Sequence, residues 1–438
     1  LIAILCVLAF LASYCFILQP ASHPTSEDLG NSQVIPGPAE TSFILHESDG
    51  TYSLIMDGTM RDILTAAEMN AGDRFSFVEI KEEDLFNGQM EDLVIEGVSD
   101  ILHKLPKKPS VVLLFTVCVH HFMGCDLAYI YDTLRSRFPE QCFVDCYMDP
   151  IMQKEGLTPD QKLRNALYKP LPMREKNLKQ INIIGNDFPT REETELKTIA
   201  KAAGYTVKDI TECEGYEEYL SMSESFLNIA CYPLAKYGAE QLSKRLGMKF
   251  LYLPFSFHYD EINAQLKSLV KEMPGAVMPD TSLFRKRCER ILQETKELVG
   301  DTKITIDATV VPRLLGLTRL LISHGFSVER IFTDAFSAEE KEDYLWLKEN
   351  APNLKVCATI HPNMRVYPRN PQEKILAIGQ KAAYFSGTEH FVNMVEGGGL
   401  HGYDGICELC QKIQQAYQTK KDTKDLVVRK GLGCESCI

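Results

Sequence analysis

The chain has 438 residues, more than one ordinary domain holds, and length alone suggests about three domains. Hydrophobic residues at 45% and charged residues at 24% are ordinary globular proportions, which exclude disorder, collagen and coiled coil as the main architecture. Lys and Arg number 47 against 60 Asp and Glu, and the net charge of −13 argues against a nucleic-acid surface while suiting a basic protein partner or a small neutral substrate.

In chain order, Leu1 to Leu18 is an uncharged apolar run near the lower limit of a membrane span, with no Lys or Arg before Arg61. It reads as a buried core segment, as an anchor or signal remnant, or as a boundary artefact, and the expected localisation is cytoplasmic with a possible N-terminal membrane anchor. Ser22 to Ser42 is rich in Ser, Pro, Gly and Thr and reads as an irregular lead-in. Strands are expected at 110–116, 180–185, 226–231 and 250–254, with helices at about 126–138, 191–203, 236–246 and 260–272. The pattern restarts with strands at 303–308, 328–333, 354–359 and 374–377, and helices at 313–324, 338–350 and 406–417. Apolar runs without alternation, separated by helical segments, imply an α/β fold of parallel sheets with helices on both faces. They group into three Rossmann-like blocks at about 40–175, 176–295 and 296–420, after a lead-in at 1–40 and before a tail at 421–438. Ligands of such sheets sit at the carboxyl ends of the strands, in the crevices between domains.

No G-x-G-x-x-G follows a strand and opens a helix, and no Walker A sequence occurs, so no nucleotide is expected to bind directly by those routes. Neither a G-x-S-x-G elbow nor H-E-x-x-H is present, which weakens hydrolase readings. Gly397 to Gly399 reads as a flexible loop before His401.

What remains is sulfur. The chain has 14 cysteines, too few for a disulfide scaffold, and a mixture of buried thiols and soft-metal ligands in a reducing compartment suits them better. Cys118 follows a strand at once, with Cys125, His120 and His121 close by, and Cys231 has the same placement. Each is either a small core residue or a thiol ligand facing a crevice. Cys407 and Cys410 share one helix face, for one metal or for core contacts; Cys434 and Cys437 in the tail are a redox or metal pair or an idle end.

These residues carry a resemblance. Thr116 to Asp126 (TVCVHHFMGCD) resembles the T-x-C-x-x-x-x-I-G-D-D segment of nitrogenase component 1 subunits, and Glu83 to Gly88 with Leu93 resembles the stretch just upstream. Asn228 to Tyr232 (NIACY), followed by a helix and by Gly247 to Pro254, is similar to the stretch bearing the active-site cluster's cysteine in the molybdenum–iron α-subunit. His401 to Gly405 (HGYDG) matches that subunit's h-G-Y-D-G segment. The resemblance covers about residues 40–420.

It implies three Rossmann-like domains, cofactors held between domains and subunits, and electrons received from an ATP-dependent iron protein for reduction of N2 or tetrapyrrole multiple bonds. It also implies a homologous partner subunit, in a dimer or heterotetramer. By this resemblance Cys118 would ligate a relay cluster, with Cys125 as a second thiol, and Cys231 would ligate or line the active site. His401 would shape the crevice, with His390 as a further ligand. The departures are specific. Thr51 stands where the family has a relay cysteine, Cys15 is too far upstream to replace another, and Val392 falls at the position of the histidine that holds the far end of the molybdenum cofactor. Hydroxyl and alkyl groups cannot replace soft ligands, so a smaller 4Fe–4S cluster and a substrate other than N2 are expected. A scaffold or carrier for a metallocluster or tetrapyrrole is the alternative.

Overall fold

A computed structural model of the chain describes residues 40–46, 75–80, 84, 87–148, 156–213, 215–368 and 373–421. The apolar segment at 1–18 and the cysteines Cys434 and Cys437 lie outside them. Among the described residues no helix is long and apolar enough to cross a membrane.

The first sheet contains β1 (Glu40–His46), β2 (Phe75–Ile80), β3 (Val111–Val117) and β4 (Cys142–Met148) in the order β2-β1-β3-β4. It departs from the expected all-parallel form. Only β3 and β4 pair in parallel, because β1, the one reversed strand, lies between β2 and β3 and is antiparallel to both. Nothing in the periodicity marks β1, whose first residues fall inside the stretch read as a lead-in.

The second sheet is parallel throughout, in the order β6-β5-β7-β8, from β5 (Asn177–Ile183), β6 (Thr206–Asp209), β7 (Ser225–Ala230) and β8 (Lys249–Tyr252). Every residue of β7 is buried, as a central strand covered on both faces requires. Its buried Asn228 is satisfied within the layer: Asn182 Nδ2 donates to Asn228 Oδ1 at 2.8 Å, and Asn228 Nδ2 donates to Ser243 Oγ at 2.9 Å.

The third sheet is also parallel, in the order β11-β10-β9-β12-β13, from β9 (Lys303–Asp307), β10 (Val328–Phe332), β11 (Lys355–Cys357), β12 (Ile375–Ile378) and β13 (Phe391–Val392). These open sheets with their covering helices define a Rossmann-like α/β protein.

Two helices decide how the sheets are joined. Pro159–Leu167 opens with a capping box: Thr158 Oγ1 accepts from Gln161 N, Gln161 Oε1 accepts from Thr158 N, and proline stands in the first turn. It packs on β4 and on the helix Lys236–Leu246, so one core runs from Val111 and Phe115 to Ala239 and Leu242. The 19-residue helix Thr281–Val299, which the sequence reading does not mark, is capped by Asp280, whose Oδ1 accepts from Ser282 N at 3.0 Å. It buries Cys288, Leu292, Thr295 and Val299, a stripe at helical spacing, and lies along Gly402–Gln418. A second core is continuous from Ile181 and Leu227 to Ile304, Leu376 and Ile413.

Candidate functional site

Cys231 follows β7 at its carboxyl end and is half-buried. Its sulfur makes no hydrogen bond among the described residues. Burial, with the charge of Asp209 adding to it, pushes the thiol well above its ordinary value. The sulfur therefore keeps its proton at neutral pH.

His401 belongs to the same corner. Leu253 N donates to Ala230 O at 2.9 Å, bringing the end of β8 beside the end of β7, and the His401 ring meets Leu253 O at 2.9 Å through Nε2. A carbonyl only accepts, so Nε2 carries the hydrogen and Nδ1 is left as a bare acceptor. Nδ1 is buried and has no partner among the described residues. Burial holds the His401 pKa below its ordinary value, so the imidazole is neutral at neutral pH.

Around this corner lie residues that periodicity alone did not single out. The Tyr232 hydroxyl donates to Glu396 Oε2, linking the second sheet to the third. Arg164, fully buried, places its guanidinium 4.6 Å from the centre of the Tyr232 ring. It donates to Asp160 at 2.5 Å, to Gly185 O at 2.5 Å and to both Asp187 oxygens at 3.0 Å. Burial, and then the charge of Glu396, push the Tyr232 hydroxyl well above its usual range, so it is a neutral donor.

The run from Glu396 to Gly399 is an ordered turn rather than the flexible loop expected. All four residues have positive φ, at 49°, 77°, 53° and 73°. Glu396 N donates to Thr309 O at 2.7 Å and Gly397 N to Val310 O at 2.8 Å, while Arg191 N donates to Gly399 O at 3.3 Å. A Cβ on Gly399 would stand 2.0 Å from Pro189 O, so a side chain there is excluded. Glu396 alone carries a side chain in this left-handed run, at a cost of about 1–2 kcal/mol, and its carboxylate is the one that meets Tyr232.

The HGYDG segment is explained by a buried carboxylate. Glu195 accepts from Tyr403 N at 3.0 Å and Asp404 N at 3.1 Å, capping Gly402–Gln418. Gly402 has φ +64°, and a Cβ there would lie 2.2 Å from Glu195 Oε2. Burial, opposed by the hydrogen bonds it accepts and assisted by Asp404, pushes the Glu195 carboxyl up to about 7. Asp404 is held in turn by Arg191 Nε at 2.9 Å.

The remaining candidates lie elsewhere. Cys118 is the first residue of the short helix Cys118–Phe122 after β3, and its side chain is outside the described set. Cys125 is half-buried beyond that helix, and burial, then Glu91, push its thiol up to about 12. His390 precedes β13 at its amino end and hydrogen-bonds Ala416 O through Nδ1 at 3.0 Å, tying down the last turn of the helix Gly402–Gln418. Val392 is buried at 1% exposure within the third sheet. Cys407 and Cys410 are both buried on Gly402–Gln418.

Residues 34–418 match the family model of nitrogenase component 1 type oxidoreductase. The chain belongs to that family. A solved structure described as nitrogenase Cp1 at pH 6.5 is similar to it with a TM-score of 0.55 and 15% identity, over 76% of this chain and 81% of that one. A second, described as nitrogenase Cp1 at pH 5, gives a TM-score of 0.52 and 14% identity over 77% and 76%. At such identities the likeness shows the fold. No curated protein matches the chain.

The family implies iron–sulfur clusters, and the donor set admits them in one form. Among the described residues no group of three or more His, Cys, Asp or Glu side chains converges as a metal cage requires. A cluster drawing all its ligands from those residues does not fit. A single soft attachment at Cys231 fits, since the residue is only half-buried and its sulfur has no hydrogen bond to give up among those residues.

Proposed function

We propose that the chain is one subunit of a nitrogenase-like iron–sulfur oxidoreductase, taking electrons from a separate ATP-dependent iron protein to reduce a substrate other than N2. The observation that carries this reading is the Cys231 sulfur, without a hydrogen bond among the described residues, at the end of β7, and the neutral His401, with its buried and unpartnered Nδ1, tied to the end of the neighbouring β8, where open α/β sheets bind ligands. Cys231 would anchor an iron–sulfur group, and His401 would present a lone pair to what binds beside it. Cys118 and Cys125 would serve a second, 4Fe–4S-type relay cluster shared with a homologous subunit, and Cys434 with Cys437 would offer a further thiol pair. The cluster would supply low-potential electrons, while the chain's own residues position and dehydrate the crevice. Domains at about 40–175, 176–295 and 296–420 and a reducing, cytoplasmic compartment complete the reading, and His390 is a remoter ligand candidate.

Burial of Val392 inside the sheet favours a second reading. A group held at Cys231 alone is held at one end, which suits a scaffold or carrier that passes its cluster on.

The deciding measurement is iron and acid-labile sulfide per chain after strictly anaerobic purification, with EPR of the reduced sample. Bound iron that falls in Cys231→Ala while the melting temperature holds supports the site. Protein without iron under those conditions overturns it. Stoichiometric release of the cluster to a second protein without turnover assigns the carrier role.

A further inference from the structure

Away from the crevice, two thiols meet between the two long helices. Cys288 of Thr281–Val299 and Cys407 of Gly402–Gln418 place their sulfurs 3.5 Å apart, with Cys410 one turn along the second helix. All three are buried. The spacing of Cys407 and Cys410 suggests one pair, but the fold gives Cys407 a different sulfur. The Cys288 sulfur also lies 3.3 Å from Tyr403 O.

We propose that Cys288 and Cys407 form a reversible dithiol–disulfide site that a small peroxide oxidises. The two sulfurs need to close from 3.5 Å to about 2 Å, the length of a disulfide bond, between helices already in contact. Cys407 is the attacking sulfur. The hydrogen bond from Cys288, and then the charge of Arg287, draw its thiol below the ordinary value against burial, while Cys288 keeps its proton.

The chemistry balances. Cys407 loses its proton, and its sulfur attacks one oxygen of hydrogen peroxide. The O–O bond breaks, leaving a sulfenic acid at Cys407 and a hydroxide that takes the proton as water. Cys288 then attacks the sulfenic sulfur; the S–S bond forms, the S–O bond breaks, and the departing hydroxide takes the Cys288 proton as a second water. Two thiols lose two electrons and two protons, and one peroxide becomes two waters. The bond joins the helix before the third sheet to the helix that closes it.

The test uses the full chain, titrated with hydrogen peroxide, then denatured, alkylated, digested and read by mass spectrometry. The expected result is a linked peptide pair carrying Cys288 and Cys407, 2 Da lighter than the sum of the reduced peptides. It is restored by dithiothreitol and persists in Cys410→Ala. In Cys288→Ala the sulfenic acid has no resolving thiol, so a dimedone adduct is expected at Cys407. Full alkylation of Cys288 and Cys407 after peroxide has oxidised other cysteines overturns the proposal, as does a link from either to Cys410 instead. The wild-type result stands whether or not a variant folds.

Discussion

Tyr232 gives its hydroxyl hydrogen to Glu396, the one residue with a side chain in a run of four left-handed backbone conformations. The strain at Glu396 and the buried donor at Tyr232 have one explanation: the turn exists to carry this carboxylate from the third sheet to the end of β7. Removing the hydroxyl takes one donor away from the carboxylate. Tyr232→Phe is expected to lower stability by about 1–3 kcal/mol in urea unfolding, and an unchanged midpoint would show that the contact carries no weight.

Glu195 makes stability depend on pH. Its carboxyl titrates at about 7 in the folded chain against 4.5 when free, so between those values the folded form holds more protons than the unfolded form. The contribution is complete below about 4.5 and is lost as pH rises through about 7. In Glu195→Gln this slope disappears, although one accepted hydrogen bond is lost. Melting temperatures of both proteins from pH 5 to 8 decide it, and parallel curves would refute the assignment.

Among the described residues Arg164 is the sole cation within hydrogen-bond reach of Asp187, and it also holds Asp160 and the Gly185 carbonyl. Arg164→Met removes the buried cation that Asp187 and the Gly185 carbonyl share and is expected to cost about 3–5 kcal/mol. Arg164→Lys recovers little, because a single ammonium cannot span three acceptors in a fork. Denaturant midpoints of the two variants check this.

At Gly402 the contact is steric. Gly402→Ala drives a methyl group into the Glu195 carboxylate and fixes an alanine at φ +64°. The backbone share alone is about 1–2 kcal/mol. If the clash is with that carboxylate, Glu195→Ala and Gly402→Ala combine at less than the sum of their separate losses. Strict additivity in a double-mutant cycle would place the clash elsewhere.

Legibility in the sequence followed local signals. Strands with a continuous apolar run, such as Val111 to Phe115 within 110–116, and the helix 236–246 with its glycine stop could be placed from the sequence, because their burial and termination are local. β1 could not, since its partners β2 and β3 are remote and its first residues resemble a lead-in. The helix Thr281–Val299 went unmarked because charged residues crowd it from Arg285 to Glu297 and only one stripe is buried. Cys231 and His401 could be named from motifs, but their common corner rests on a pairing of β7 with β8. Glu195 and Arg164 gave no signal, as nothing near either residue in sequence announces a buried charge.

The core shared by the second and third sheets has a consequence for how the molecule comes apart. Ile181, Leu227, Ile304, Leu376 and Ile413 belong to one apolar cluster, so separating these sheets would wet a continuous interior rather than a polar seam. Residues 177–418 should then behave as one cooperative unit: amides in β5, β7, β9 and β12 exchange with deuterium through a common opening, at one free energy, and no partly melted form holds one sheet without the other.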